Sequence, residues 1–233
     1  MSGLPQPRTY GTATVSPAMT CQARTASEPR ALQLISVWTK RLTDILLATA
    51  ALILMSPILL LVVALNKRSS PGPALFLQKR VGYGCRVFPM IKFRTMVVGA
   101  EKAEIKLAGE CPDRTFLKVV DDPRVTPLGR VLRKYSIDEL PQLWNVIRGD
   151  MSLVGPRPIL LSDFRKLPLR QQMRRFSVPP GMTGLWQISG RSRTTDKERM
   201  ALDLRYVDLW SPGLDIQILG RTLPVVLRAT GAV

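Results

Sequence analysis

One charge-free apolar run, Ile45 to Leu65, interrupts an otherwise mixed chain. As a helix its 21 residues reach about 31 Å, enough to cross a hydrocarbon core of roughly 30 Å. By length alone, a straight signal-anchor helix is the plain reading. Two features argue against it. Lys40 and Arg41 flank one end and Lys67 and Arg68 the other, so the positive-inside rule places both ends on the same side. Mid-run stands Ser56-Pro57, where proline removes a backbone donor and clashes with the preceding turn. A kinked helix that enters one leaflet and returns satisfies both observations, so residues 39–66 are read as a re-entrant membrane helix.

Residues 1–38 are rich in Pro, Ser, Thr, Ala and Arg without apolar periodicity, which predicts a disordered N-terminal segment. Residues 67–233 are read as the catalytic domain. From Pro71 to Met96, Pro and Gly punctuate short strand-like pieces, Ala74–Leu77 and Arg86–Phe88. Helical patterning follows at Val98–Leu107, Leu128–Lys134 and within Ser136–Arg148, then as a basic helix over Leu160–Phe176. Ser177–Thr183 holds two prolines and a glycine and reads as a loop. Lys197–Trp210 and Leu214–Leu227 complete the helices, the last apolar enough to lie on a membrane. The expected fold is α/β and mostly helical: a monotopic membrane protein with a re-entrant N-terminal helix and interfacial amphipathic helices.

Charge sharpens the picture. Lys and Arg number 34 against 17 acidic residues, a formal charge of +17 in 233 residues, and most of the excess follows the apolar run. Such a surplus predicts anionic partners: nucleic acid, phospholipid or phosphorylated substrate. Nucleic-acid binding is a rival reading. Against it, aromatic residues make up only 6% of the chain, do not interleave with the basic ones, and form no helix-turn-helix or finger pattern. Histidine is absent, which removes His-based acid–base catalysis and His-containing zinc sites. Cys21, Cys85 and Cys111 are too few and scattered for a disulfide framework.

The informative centre is the run Arg133-Lys134-Tyr135-Ser136-Ile137-Asp138-Glu139-Leu140-Pro141-Gln142. Its plain explanation is a helix start: Ser136 and Glu139 fit a capping box, and Pro141 suits a first turn. A helix start is also where phosphate binds. Arg130, Arg133, Arg148 and Arg157 surround the run in sequence, and guanidinium forks bind diphosphate bidentately. A carboxylate here could attack phosphorus while its neighbour holds a divalent cation on the leaving diphosphate. Further on, Pro156-Arg157-Pro158 closes a rigid Gly/Pro loop that presents one arginine.

Several ordered stretches carry a resemblance. They are Lys40-Arg41 with Asp44, Ser56-Pro57, Ser70-Pro71-Gly72-Pro73, Gln78-Lys79-Arg80-Val81-Gly82, and Lys92-Phe93-Arg94-Thr95-Met96. Asp122-Pro123-Arg124-Val125-Thr126, Ser136 through Pro158, Gly181 through Arg191, and Asp203 through Asp215 follow. From residue 39 onward the chain resembles the bacterial sugar transferases, monotopic polyprenyl-phosphate phosphoglycosyl transferases of exopolysaccharide and O-antigen assembly, in their compact form.

The resemblance implies a reaction. Asp138 is expected to attack the β-phosphorus of a UDP-sugar, with UDP-glucose or UDP-galactose foremost, releasing UMP and leaving a sugar-phosphoryl aspartate. Undecaprenyl phosphate then takes up the sugar phosphate. Glu139, with Asp138, is expected to bind Mg2+. Arg133 and Arg157 fall on phosphate-holding positions, Lys92 and Arg94 on the basic cleft, and Arg191 and Asp215 near nucleotide or sugar. Anionic membrane lipids, a bacterial inner-membrane location with the catalytic domain on the cytoplasmic face, and a possible homodimer complete the expectation. A non-catalytic membrane scaffold is the other rival, and the intact Asp138-Glu139 pair speaks against it. One departure stands out: Cys85 occupies a family glycine position, where positive φ is permitted, so that loop is expected to change conformation.

Overall fold

The computed structural model describes residues 30–100, 122–190 and 194–227. Helix α1, Arg30–Ser69, runs unbroken through Pro57. It begins inside the segment expected to be disordered, where Ala31, Leu32, Gln33 and Leu34 favour a helix; residues 1–29 lie outside the described part. Proline at 57 removes the amide that would reach the Ile53 carbonyl, and the Ser56 hydroxyl donates to that carbonyl instead, at 2.7 Å. The pair expected to turn the helix therefore repairs its own defect, and the helix continues.

Two strands follow, β1 Leu75–Val81 and β2 Val87–Phe93. They form an antiparallel hairpin registered from Leu75↔Phe93 to Val81↔Val87, longer than the strand pieces legible in sequence. At its tip, Gly84 and Cys85 both take φ of 61°, so Cys85 adopts a left-handed conformation that a glycine would hold without strain. The short strand β4, Ile159–Leu160, adds to β1, giving the order β2-β1-β4. A second, parallel pair joins β3 (Ser152–Val154) to β5 (Gly181–Thr183), so the stretch read as a loop ends in a strand.

The remaining helices are α2 Pro127–Lys134, α3 Gln142–Arg148, α4 Leu161–Phe164, α5 Leu169–Arg175, α6 Leu185–Ile188, α7 Asp196–Leu209 and α8 Pro212–Leu227. Pro168 divides the expected basic helix into α4 and α5, because it cannot donate within a helix interior. The expected helix at Val98–Leu107 lies outside the described residues from 101 onward. Helix α8 is not simply laid on a surface: Ile218 is fully buried with Val154 and Tyr206, while Ile216 stays exposed.

Helix α1 is seated lengthwise on the domain. Ala48 packs with Phe88, Met90, Leu143, Val146 and Met151, and Val62 packs with Phe93 and Leu132. Toward one end, Arg41 donates to the Val146 and Ile147 carbonyls at 2.6 and 2.7 Å, satisfying the C-terminus of α3 beside Gly149 in its left-handed cap (φ 96°). Asp44 accepts the Leu153 amide at 3.1 Å. At the other end, Arg94 donates to the carbonyls of Pro71, Ser70 and Asn66. The opposite face of α1 carries exposed Trp38, Leu42, Leu46, Ile53, Leu54, Leu60 and Leu61, an unusually large apolar surface for a helix to show to water.

Candidate active site

The Asp138-Glu139 pair sits on a single 3-10 turn, Ile137–Glu139, between α2 and α3. Ser136 before it takes φ 56°, ψ 21°, with no side-chain cap. An N-cap needs extended φ/ψ, so the expected capping box does not form. Nor does the turn offer a helix N-terminus to phosphate, since three residues build no macrodipole. What the turn supplies is a strained, fixed exit for the two carboxylates: a non-glycine residue in this region costs about 1–2 kcal/mol.

Asp138 is 9% exposed. Burial pushes its pKa up, the adjacent Glu139 charge pushes it further, and Lys92 and Arg133 pull it back; the result is raised to about 6. Lys92, from β2, places Nζ 3.1 Å from Glu139 Oε1. Arg133, from α2, is anchored by donation from Nε to Thr95 Oγ1 at 2.9 Å. Arg157 brings Nη2 to 3.9 Å from the same Glu139 oxygen and stacks 5.2 Å from the centre of the Trp186 ring. Lys92, Glu139, Gln142, Arg157 and Pro158 line a small cleft. Three cations thus converge on two carboxylates, leaving a site that attracts anions.

Among the described residues no group of three or more His, Cys, Asp or Glu side chains could hold a metal. Mg2+ is usually held by one or two carboxylates with substrate phosphates and water completing its shell, and Asp138 and Glu139 are carboxylates of the kind that would take that part.

Other residues named from the sequence lie elsewhere. Asp215 accepts from Lys40 Nζ (2.6 Å), Tyr206 Oη (2.8 Å) and Trp210 Nε1 (3.2 Å). Lys40 and Tyr206 also donate to the Val154 carbonyl. This hub fastens α1 to α7, α8 and β3 and shares no partner with Asp138. Arg94 is committed to the end of α1, not to the cleft. Arg191 lies outside the described residues. Sequence reasoning missed Arg175, Trp186 and Arg199. Trp186 lies within a matching stretch, but only the fold brings Arg157 and Arg199 (5.4 Å) against its ring.

Known proteins bear on this site. The family described as Bacterial sugar transferase matches residues 35–229. The exopolysaccharide production protein ExoY of Sinorhizobium fredii is 42% identical over 212 residues, 88% of this chain and 92% of that protein. The galactosyl transferase CpsE of Streptococcus agalactiae is 45% identical over 196 residues, 83% of this chain but 43% of its own length. The UDP-glucose:undecaprenyl-phosphate glucose-1-phosphate transferase of Caulobacter vibrioides is 40% identical over 200 residues, 83% of this chain and 71% of that protein. With a family match over most of its length and ExoY covered almost end to end, the chain belongs to the bacterial sugar transferase family.

Proposed function

We propose that this protein transfers a sugar-1-phosphate from a UDP-sugar, UDP-glucose or UDP-galactose, to undecaprenyl phosphate, releasing UMP and starting exopolysaccharide or O-antigen-type glycan assembly. The observation that carries the reading is the buried Asp138 carboxyl beside Glu139, ringed by Lys92, Arg133 and Arg157. The names of the Caulobacter and Streptococcus relatives support the substrate classes.

A carboxylate oxygen of Asp138 attacks the β-phosphorus, the bond to the bridging oxygen breaks, and UMP departs with that electron pair. A phosphate oxygen of the lipid then attacks the same phosphorus and displaces Asp138, so the aspartate is regenerated. With a pKa of about 6 the nucleophile is mostly ionised at pH 7 and needs no separate base. Glu139, with Asp138, would hold Mg2+, which would supply charge neutralisation at the diphosphate. Arg133 and Arg157 hold phosphate oxygens, and Lys92 keeps Glu139 in place between turnovers.

The membrane arrangement belongs to the same reading. From Lys40 to Asn66 the helix rises about 39 Å, yet both ends and the middle bond to one domain. A perpendicular span would put those partners on opposite sides of the bilayer. In the proposed arrangement the unbroken helix dips into one leaflet and stays with its domain on the cytoplasmic face of the inner membrane, its exposed apolar face in lipid and basic residues near anionic headgroups. Pairing into a homodimer is compatible with this arrangement and is a separate proposal.

The test is UMP release from a panel of UDP-sugars by purified protein with Mg2+ and undecaprenyl phosphate, with Asp138→Asn as control. Release that requires the lipid, the metal and Asp138 is expected. No release from any donor would leave a non-catalytic scaffold as the better reading.

A further inference from the structure

The loop Gly155–Pro158 presents Arg157, and its main chain is held at every residue. The Gly155 amide donates to the Thr183 carbonyl and the Gly181 amide to the Pro156 carbonyl, each at 2.9 Å. Arg80 Nη1 donates to the Pro158 carbonyl at 3.3 Å. Arg157 differs from the other residues of the loop in having its carbonyl held by a buried, ion-paired side chain. Arg175 Nη2 donates to that carbonyl at 2.6 Å. Arg175, from α5, is itself paired with Asp203, from α7. Arg175 Nε and Nη2 reach Asp203 Oδ2 at 2.9 and 2.6 Å, with each side chain only 3% exposed.

Burying an ion pair is costly, and an apolar pair of similar volume would join α5 to α7 at least as well. Here the cost is raised further, because Arg175 Nη1 and Asp203 Oδ1 are buried without a hydrogen-bond partner. Adhesion between helices therefore does not account for the pair, whereas its grip on the Arg157 carbonyl does. Arg157 stands between two prolines of fixed φ, so the direction of its carbonyl sets the direction of the loop.

We propose that the Arg175–Asp203 ion pair is a positioning device for Arg157: Asp203 fixes Arg175, Arg175 holds the Arg157 carbonyl, and the guanidinium is thereby aimed between Glu139 and Trp186. The inference rests on the functional reading above, in which Arg157 holds a phosphate oxygen of the donor. Arg175 and Asp203 touch no substrate; they act through Arg157. A displacement of about 1 Å at such a group costs on the order of 100-fold in rate.

The test is a mutant cycle on the full chain in detergent, combining Arg157→Ala with the double change Arg175→Met and Asp203→Leu. UMP release, UDP affinity by calorimetry and thermal melting are read together. The apolar pair is expected to melt no lower than wild type, to lose about 100-fold in kcat, and to lose little more when Arg157→Ala is added. An Arg157→Ala loss of equal factor in both backgrounds, or no Arg157→Ala loss at all, overturns the clamp. If the apolar variant does not fold, Asp203→Asn enters the same cycle, with the same additivity overturning the proposal. If wild type shows no Asp138-dependent release, the functional reading fails by itself. The clamp is then judged on UDP affinity, where additive losses sink it and non-additive losses sustain it.

Discussion

Replacing Asp138 with Asn should abolish transfer and, in the same protein, raise stability in a pH-dependent way. The carboxyl is held at a pKa of about 6 in the folded chain against 3.8 for an ordinary aspartate. The native state therefore binds the proton more tightly than the unfolded chain does. That advantage is complete below about pH 4 and is lost as pH rises through about 6, where the native protein must carry a buried charge. At 1.36 kcal/mol per pKa unit, the charge costs the fold about 3 kcal/mol at pH 8. Asparagine, neutral and nearly isosteric, avoids the cost. For a chain of this length each kcal/mol moves Tm by about 2–4 °C, so a gain of about 6–12 °C is expected at pH 8 and about a third of that at pH 4.5, where the linkage cost is only about 1 kcal/mol. Melting followed in detergent with EDTA, at both pH values, measures it. The chelator matters because a bound cation would relieve the wild-type charge and shrink the difference. An equal Tm change at both pH values would refute the electrostatic reasoning, and transfer retained by the variant would move the nucleophile elsewhere.

Three further perturbations separate the parts of the argument. Glu139→Gln should lower the rate and shift the Mg2+ titration to higher concentration together; an unchanged titration counts against a metal role. Gly155→Ala would place a Cβ about 2.5 Å from the Pro179 carbonyl oxygen and 2.8 Å from the Gly181 amide. It should destabilise by about 1–3 kcal/mol and cut activity through the Arg157 loop, as thermal melting and UMP release would report. Pro57→Ala restores the amide to Ile53, yet Lys40, Arg41, Asp44 and Asn66 still tie α1 to one domain. An N-terminal tag should stay on the catalytic side in protease-protection assays, and its appearance on the far side would refute that seating.

The chain's local patterns already named most elements, because they depend on neighbours in sequence. The apolar run, the two strand pieces, Leu128–Lys134 and the last two helices follow from periodicity and from Pro and Gly placement. Likewise Asp138, Glu139, Arg133 and Arg157 stand out in the sequence as candidates for phosphate chemistry, carboxylates among guanidinium groups, while Lys92 enters only through the family resemblance. What adjacency cannot encode is which side chains the tertiary structure spends on itself. Arg94 and Asp215 look like binding residues in sequence, but one closes the end of α1 and the other receives Lys40, Tyr206 and Trp210. Ser136 looks like a cap until packing forces it left-handed. Proline 57 signals a break that Ser56 repairs, and the seating of α1 is decided by partners over a hundred residues away. Arg175 carries no local signature and Asp203 only opens a stretch that matches the family; that the two pair depends on the low dielectric around them, and only the folded chain creates that.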